Sequence, residues 1–229
     1  VIKIEKKDIC NLSRIPVAME NNPCYATARQ IIEAEGNFSA SLYRETSLYK
    51  HYKAYNPQTI YDFYGVTDKL KGHSATCSFL PWIYEKPMKD MIDVAFINFL
   101  TEEFVYNQVK KIKELIASFS KHGYVPSMFP DRKGGNVTGY FLKNKDKSRF
   151  YIVSGNHRAS VFFALYPERS FPVIYEDPKF AKPRELIGRT RSGFHQVYDF
   201  ETASDWPSVK SGFLTTQEAL NIAEVYLNV

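Results

Sequence analysis

One turn constrains this chain more than any other stretch. Residues Phe150-Tyr-Ile-Val-Ser-Gly-Asn-His-Arg-Ala-Ser-Val-Phe-Phe-Ala-Leu165 read as a buried strand, Phe150 to Val153, then a tight turn at Ser154-Gly155. A helix is predicted to open at Asn156 and run to Tyr166, where Pro167 stops it. A second strand follows from Phe171 to Tyr175. Gly155 can adopt backbone angles closed to residues with a Cβ, and it lets a ligand approach the main chain. The first helical turn has N–H groups without intrahelical acceptors and the positive end of the helix dipole, which suits an anion. His157 and Arg158 fall in that turn, and an arginine fork can hold two phosphate or carboxylate oxygens. The same residues also read as an ordinary strand-to-helix turn with a surface His and Arg, so spacing alone leaves both readings open.

Elements on either side of the turn supply a frame for it. Val105, Val109, Ile112, Ile116 and Phe119 recur on one face and predict a helix over Phe104 to Phe119, capped by Gly123. Val137 to Leu142 and Arg149 to Val153 pair as a hairpin at the heart of a sheet. Val1 to Ile4 reads as an edge strand, Tyr25 to Glu35 as a helix ended by Gly36, and Asn11 to Asn22 as irregular. Thr215 and Glu218 form a capping box that opens a last helix at Thr216.

Composition narrows the partners. Hydrophobic residues make up 44% of the 229, enough for a packed core. The net charge of +5 suits an anionic ligand but lacks the dense basic stripe of a dedicated nucleic-acid binder. Tyrosines crowd the segment from Leu42 to Gly65 among basic residues. They read either as rings for stacking bases or as a helical subdomain with its hydroxyls in water. Three cysteines without a Cys-x-x-Cys pair point to a reducing, cytoplasmic setting rather than a disulfide scaffold. The five histidines show no metal-ligand spacing, so no metal site is expected in the protein itself. No apolar run reaches the length of a membrane span, so no membrane partner is expected.

The run Ser154-Gly155-Asn156-His157-Arg158-Ala159-Ser160 resembles the phosphate-binding signature of the ParB/sulfiredoxin-like superfamily. The segment from Val109 to Pro126 resembles that family's helix before its central strands, and the likeness covers roughly Phe104 to Glu176. It implies an α+β fold, a small mixed sheet flanked by helices. The whole chain would then be a single domain with its core at about 1–10 and 101–178. A helical aromatic insertion would occupy about 11–100, and a C-terminal extension 179–229. Sulfiredoxin chemistry needs a Cys beside the His, where this chain has Asn156. A ParB segregation protein carries a helix-turn-helix domain after the nucleotide domain, whereas the segment after Glu176 here shows one clear helix.

The resemblance therefore implies a nucleotide-binding protein, a kinase or NTPase acting on a small polar metabolite or sugar. ATP, ADP or CTP with Mg²⁺ would be held by Ser154, Gly155, Asn156, His157, Arg158 and Ser160. Glu102 and Glu103 are the candidate carboxylates for preparing an acceptor hydroxyl, with His157 as a further catalytic candidate. The two glutamates equally read as helix N-terminal charges that complement the dipole. Arg191, within a basic segment with Arg184, Arg189 and His195, is the candidate contact to an anionic substrate, and a solvated basic loop is the other reading. A ParB-like nucleic-acid-binding protein, or a non-catalytic interaction module, is the alternative.

Overall fold

The computed structural model describes residues 2–11, 17–34, 37–54, 68–70, 80–86, 101–128, 136–173 and 197–228. Its fold class is mixed α+β. Four strands form the main sheet: β2 (Ile9–Asn11), β3 (Thr138–Asn144), β4 (Lys147–Ser154) and β6 (Val197–Asp199), in the order β2-β4-β3-β6. The hairpin β3–β4 is antiparallel and central, as the sequence predicts. The edge strands β2 and β6 run parallel to β4 and β3, respectively.

Two sequence expectations change here. The strand at the start of the chain, β1 (Ile2–Ile4), does not join the main sheet. It pairs with β5 (Phe171–Val173) in a separate antiparallel pair. The segment expected to be irregular from Asn11 begins inside β2, whose Asn11 lies opposite Ile152.

Strand pleating divides the interior in two, because successive side chains point to opposite faces. Phe150 and Ile152 of β4, with Ile9, enter a core beneath three helices: α1 (Pro23–Glu33), α3 (Glu102–His122) and α4 (Asn156–Leu165). Tyr151, with Tyr140, Leu142 and Cys10, enters a second core on the opposite face. Its cover is α6 (Thr216–Leu227) together with Trp82 and Trp206. The short helices α2 (Ser47–Ala54) and α5 (Pro207–Lys210) extend the two cores. Gly139 permits the close strand pairing at the β-bulge, since a Cβ there would collide with the Tyr151 carbonyl oxygen. Leu80 and Trp82 are buried in the second core.

Helices α1, α3 and α6 start where the sequence supplies acceptors. Asn22 Oδ1 accepts from Cys24 N at 3.0 Å and Tyr25 N at 3.3 Å, and Pro23 occupies the first turn, so α1 begins two residues before the predicted Tyr25. Thr101 caps α3 through Phe104 N at 3.1 Å, and Gly123 (φ 72°) closes it. The α6 capping box is formed, with Glu218 Oε2 accepting from Thr215 N at 2.7 Å.

Arg149 ties distant segments across the sheet. Its Nη1 donates to the Lys7 carbonyl at 2.9 Å and its Nε to the Leu227 carbonyl at 3.1 Å. The end of the tyrosine-rich segment, 55–65, and the basic segment with Arg184, Arg189 and Arg191 lie outside the described residues. Among the described residues, no helix is long and apolar enough to cross a membrane.

Candidate anion site at the start of helix α4

The turn sits at the carboxyl end of β4, beside the carboxyl end of its parallel neighbour β2. In open α/β sheets, this edge of a parallel pair is where ligands collect. Gly155 is the residue before α4 and has φ 102° and ψ 20°, a left-handed conformation. A Cβ added there would lie 2.7 Å from Val137 Cγ2 and 3.3 Å from Arg158 Nε. The glycine is therefore required by both backbone angle and space, and the Arg158 side chain lies back across the turn. Val137 is held in place by its own N–H, which donates to the Tyr124 hydroxyl at 3.3 Å.

Because glycine has no side chain, α4 lacks a side-chain cap. Its first-turn N–H groups have no intrahelical acceptor. The first bond within the helix runs from Ala159 N to Gly155 O at 3.0 Å.

Three side chains in this helix carry enclosed polar atoms without a protein partner: Asn156 Oδ1, His157 Nε2 and Ser160 Oγ. Ser160 is fully buried, and Arg158 is 8% exposed. An enclosed polar atom left unpaired costs about 1–3 kcal/mol, so three within five residues is a concentrated expense. Asn156 Nδ2 donates to Cys24 Sγ at 3.5 Å, which brings the first turn of α1 against the site. Turning that amide by 180° presents its N–H donors to the turn and lets Oδ1 accept from the thiol.

His157 lies in a cationic setting. Burial above all, then the charges of Lys111 and Arg158, pushes its imidazole down to about 4. At neutral pH it is uncharged, and Nε2 can carry a hydrogen toward a phosphate oxygen. Lys111 comes from the middle of α3, which packs alongside α4. The Tyr166 hydroxyl at the far end of α4 donates to the Phe119 carbonyl at 2.8 Å. The two helices therefore run in the same sense, with the start of α4 beside the middle of α3.

That arrangement separates the two glutamates from the turn. Glu102 and Glu103 open α3, roughly 12–14 Å along its axis from Lys111 at 1.5 Å per residue. Glu102 Oε2 accepts from the Tyr43 hydroxyl at 2.6 Å, and Oε1 from the Tyr49 hydroxyl at 2.7 Å. Arg44 Nε and Lys53 Nζ lie at 3.4 and 3.2 Å. The two tyrosine hydrogen bonds, with help from Lys53, pull its carboxyl down to about 2. A carboxylate so far below neutral pH is a poor proton acceptor, and here it fastens the aromatic segment around α2 to α3. Glu103 is exposed in the same first turn, where its charge complements the helix dipole.

The structure thus brings Ser154, Gly155, Asn156, His157, Arg158 and Ser160 into one local site. Arg191, like Arg184, Arg189 and His195, lies outside the described residues. Sequence reasoning missed Cys24, Val137 and Lys111, which reach the turn only through packing of α1, β3 and α3. Comparison of the chain with protein-family models, curated proteins and solved structures gives no match in any of the three.

Proposed function

We propose that this protein has a ParB/sulfiredoxin-like core that binds a nucleotide by its phosphates at the start of α4 and serves phosphoryl transfer to a small polar acceptor. One observation carries the reading: a glycine-led helix start where Asn156, His157 and Ser160 present enclosed polar atoms without protein partners. Lys111 and Arg158 add positive charge around it. The likeness of Ser154–Ser160 to the family's phosphate turn supports the same conclusion.

In such a reaction the terminal phosphorus forms a bond to the acceptor hydroxyl oxygen while its bond to the bridging oxygen breaks. The nucleoside diphosphate departs and the hydroxyl proton passes to a base. The helix N–H groups, Arg158 and the neutral His157 hold phosphate oxygens and stabilise their charge. Mg²⁺ would accompany the nucleotide, held by phosphate oxygens and water. The hydrogen bonds from Tyr43 and Tyr49 count against Glu102 as that base.

The test is thermal unfolding with millimolar ATP, ADP or CTP and Mg²⁺. A ligand that binds the native state raises Tm. Arg158→Ala is expected to lose the shift. Ser160→Ala, which removes one oxygen and leaves the fold undisturbed, is expected to weaken it. No shift with any of the three nucleotides overturns the proposal.

A further inference from the structure

A hollow of about 400 Å³ lies along α3, lined by Phe104, Asn107, Gln108, Lys110, Lys111 and Glu114. Lys110 and Glu114 face each other at 3.9 Å. Lys111 belongs both to the hollow and to the cationic setting of His157, so the hollow adjoins the anion site. Gln108 is the unusual member. It is only 8% exposed, yet it lines the hollow.

Resting on the phosphate-site reading, we propose that this hollow is the nucleoside subsite of the same ligand and that it selects an adenine base. The order of side chains along α3 fits one elongated ligand. Lys111 meets the phosphates, Gln108 lies one turn further on, and Phe104 one turn beyond that. The track from Lys111 to Phe104 is about 10 Å at 1.5 Å per residue. Phe104 is partly buried, packs edge-on with Tyr52 at 6.0 Å between ring centroids, and lines the hollow, where it would offer an aromatic surface for a base.

An amide presents one acceptor and one pair of donors side by side. Adenine answers with its N6 amino group and N7 acceptor. Guanine offers two acceptors at the corresponding edge, which sets O6 against the amide oxygen. A pyrimidine covers less of the Phe104 ring. Asn107, exposed one position before Gln108, is placed for the sugar hydroxyls.

Calorimetric titration of the full chain with Mg²⁺ and ATP, GTP, CTP or inorganic tripolyphosphate tests the proposal. ATP is expected to bind at least 10-fold more tightly than CTP, GTP or tripolyphosphate. Gln108→Leu keeps the side-chain bulk and removes the amide. It should weaken ATP on the order of 10-fold or more and leave tripolyphosphate unchanged. The unchanged tripolyphosphate affinity also shows that the variant is folded. Lys111→Ala should weaken all four ligands together. If tripolyphosphate binds as well as ATP, or Gln108→Leu binds ATP like the wild type, the base subsite is wrong and the phosphate site stands. If none of the four binds, both fall.

Discussion

The side-chain amide of Asn156 meets the sulfur of Cys24 at 3.5 Å, across 132 residues of sequence. This contact joins the first turns of α4 and α1, so the anion site has a wall built from a distant segment. Cys24 is 3% exposed and occupies the first turn of a helix already capped by Asn22. The sulfur fixes the amide plane, and the orientation of that plane decides what Asn156 offers a ligand.

Ser160 yields a prediction of two opposite signs. Its hydroxyl is buried without a partner, so Ser160→Ala removes an unsatisfied group. Without ligand the variant is expected to be as stable as the wild type, or more stable by up to about 1 kcal/mol in chemical denaturation. Nucleotide affinity should fall at the same time. A parallel loss of stability and affinity would assign the hydroxyl a purely structural part.

His157 makes stability depend on mild acid. Its folded value of about 4 lies below the ordinary 6.5, so the unfolded chain takes up a proton first as pH falls. The contribution is fully present above about pH 6.5 and is lost as pH falls toward 4. His157→Gln should flatten this part of the stability profile. A bound phosphate favours the imidazolium, so saturating ligand should raise the His157 midpoint in an NMR titration.

Glu102 makes stability depend on stronger acid. Its folded value, about 2 against an ordinary 4.5, makes its contribution present above pH 4.5 and lost as pH falls through 2. Glu102→Gln should lower Tm slightly by loosening Tyr43 and Tyr49. Nucleotide binding and turnover should remain at wild-type levels, and a large fall in turnover alone would restore Glu102 as a base.

Gly155→Ala combines backbone strain with collision against Val137. The left-handed conformation alone costs about 1–2 kcal/mol for a residue with a Cβ, a Tm drop of roughly 2–8 °C in a chain of this size. A Tm equal to the wild type would show that the turn can be rebuilt with ordinary angles.

The sequence revealed the elements whose signals are local. The α3 stripe is legible because Val105, Val109 and Ile112 bury one face and leave Lys110 and Lys113 outside. Helix α4 has no such stripe, since every residue from Arg158 to Ala164 is buried. It was read from Gly155 and Pro167 at its ends. The three residues of β2 are too few to show a period, and their partner strand lies about 140 residues away. The same limit hid half of the site. Gly155, His157 and Arg158 are neighbours in the chain, whereas Cys24 and Lys111 join them only when helices pack. Glu102 shows the converse, since its place just before the main helix was visible but its four partners around α2 were not.

Arg149 sets the order in which the molecule can be completed. Its guanidinium bridges Lys7 and Leu227, segments separated by nearly the whole chain. Contacts between such distant residues carry a large loop-closure entropy and slow folding. During synthesis, Trp82, Tyr140 and Tyr151 emerge long before Thr216–Leu227, the helix that covers them. The second core therefore stays open on the ribosome until that helix is released. Nascent chains halted before Thr215 should remain sensitive to protease at the sheet, and full protection should arrive only with the last helix.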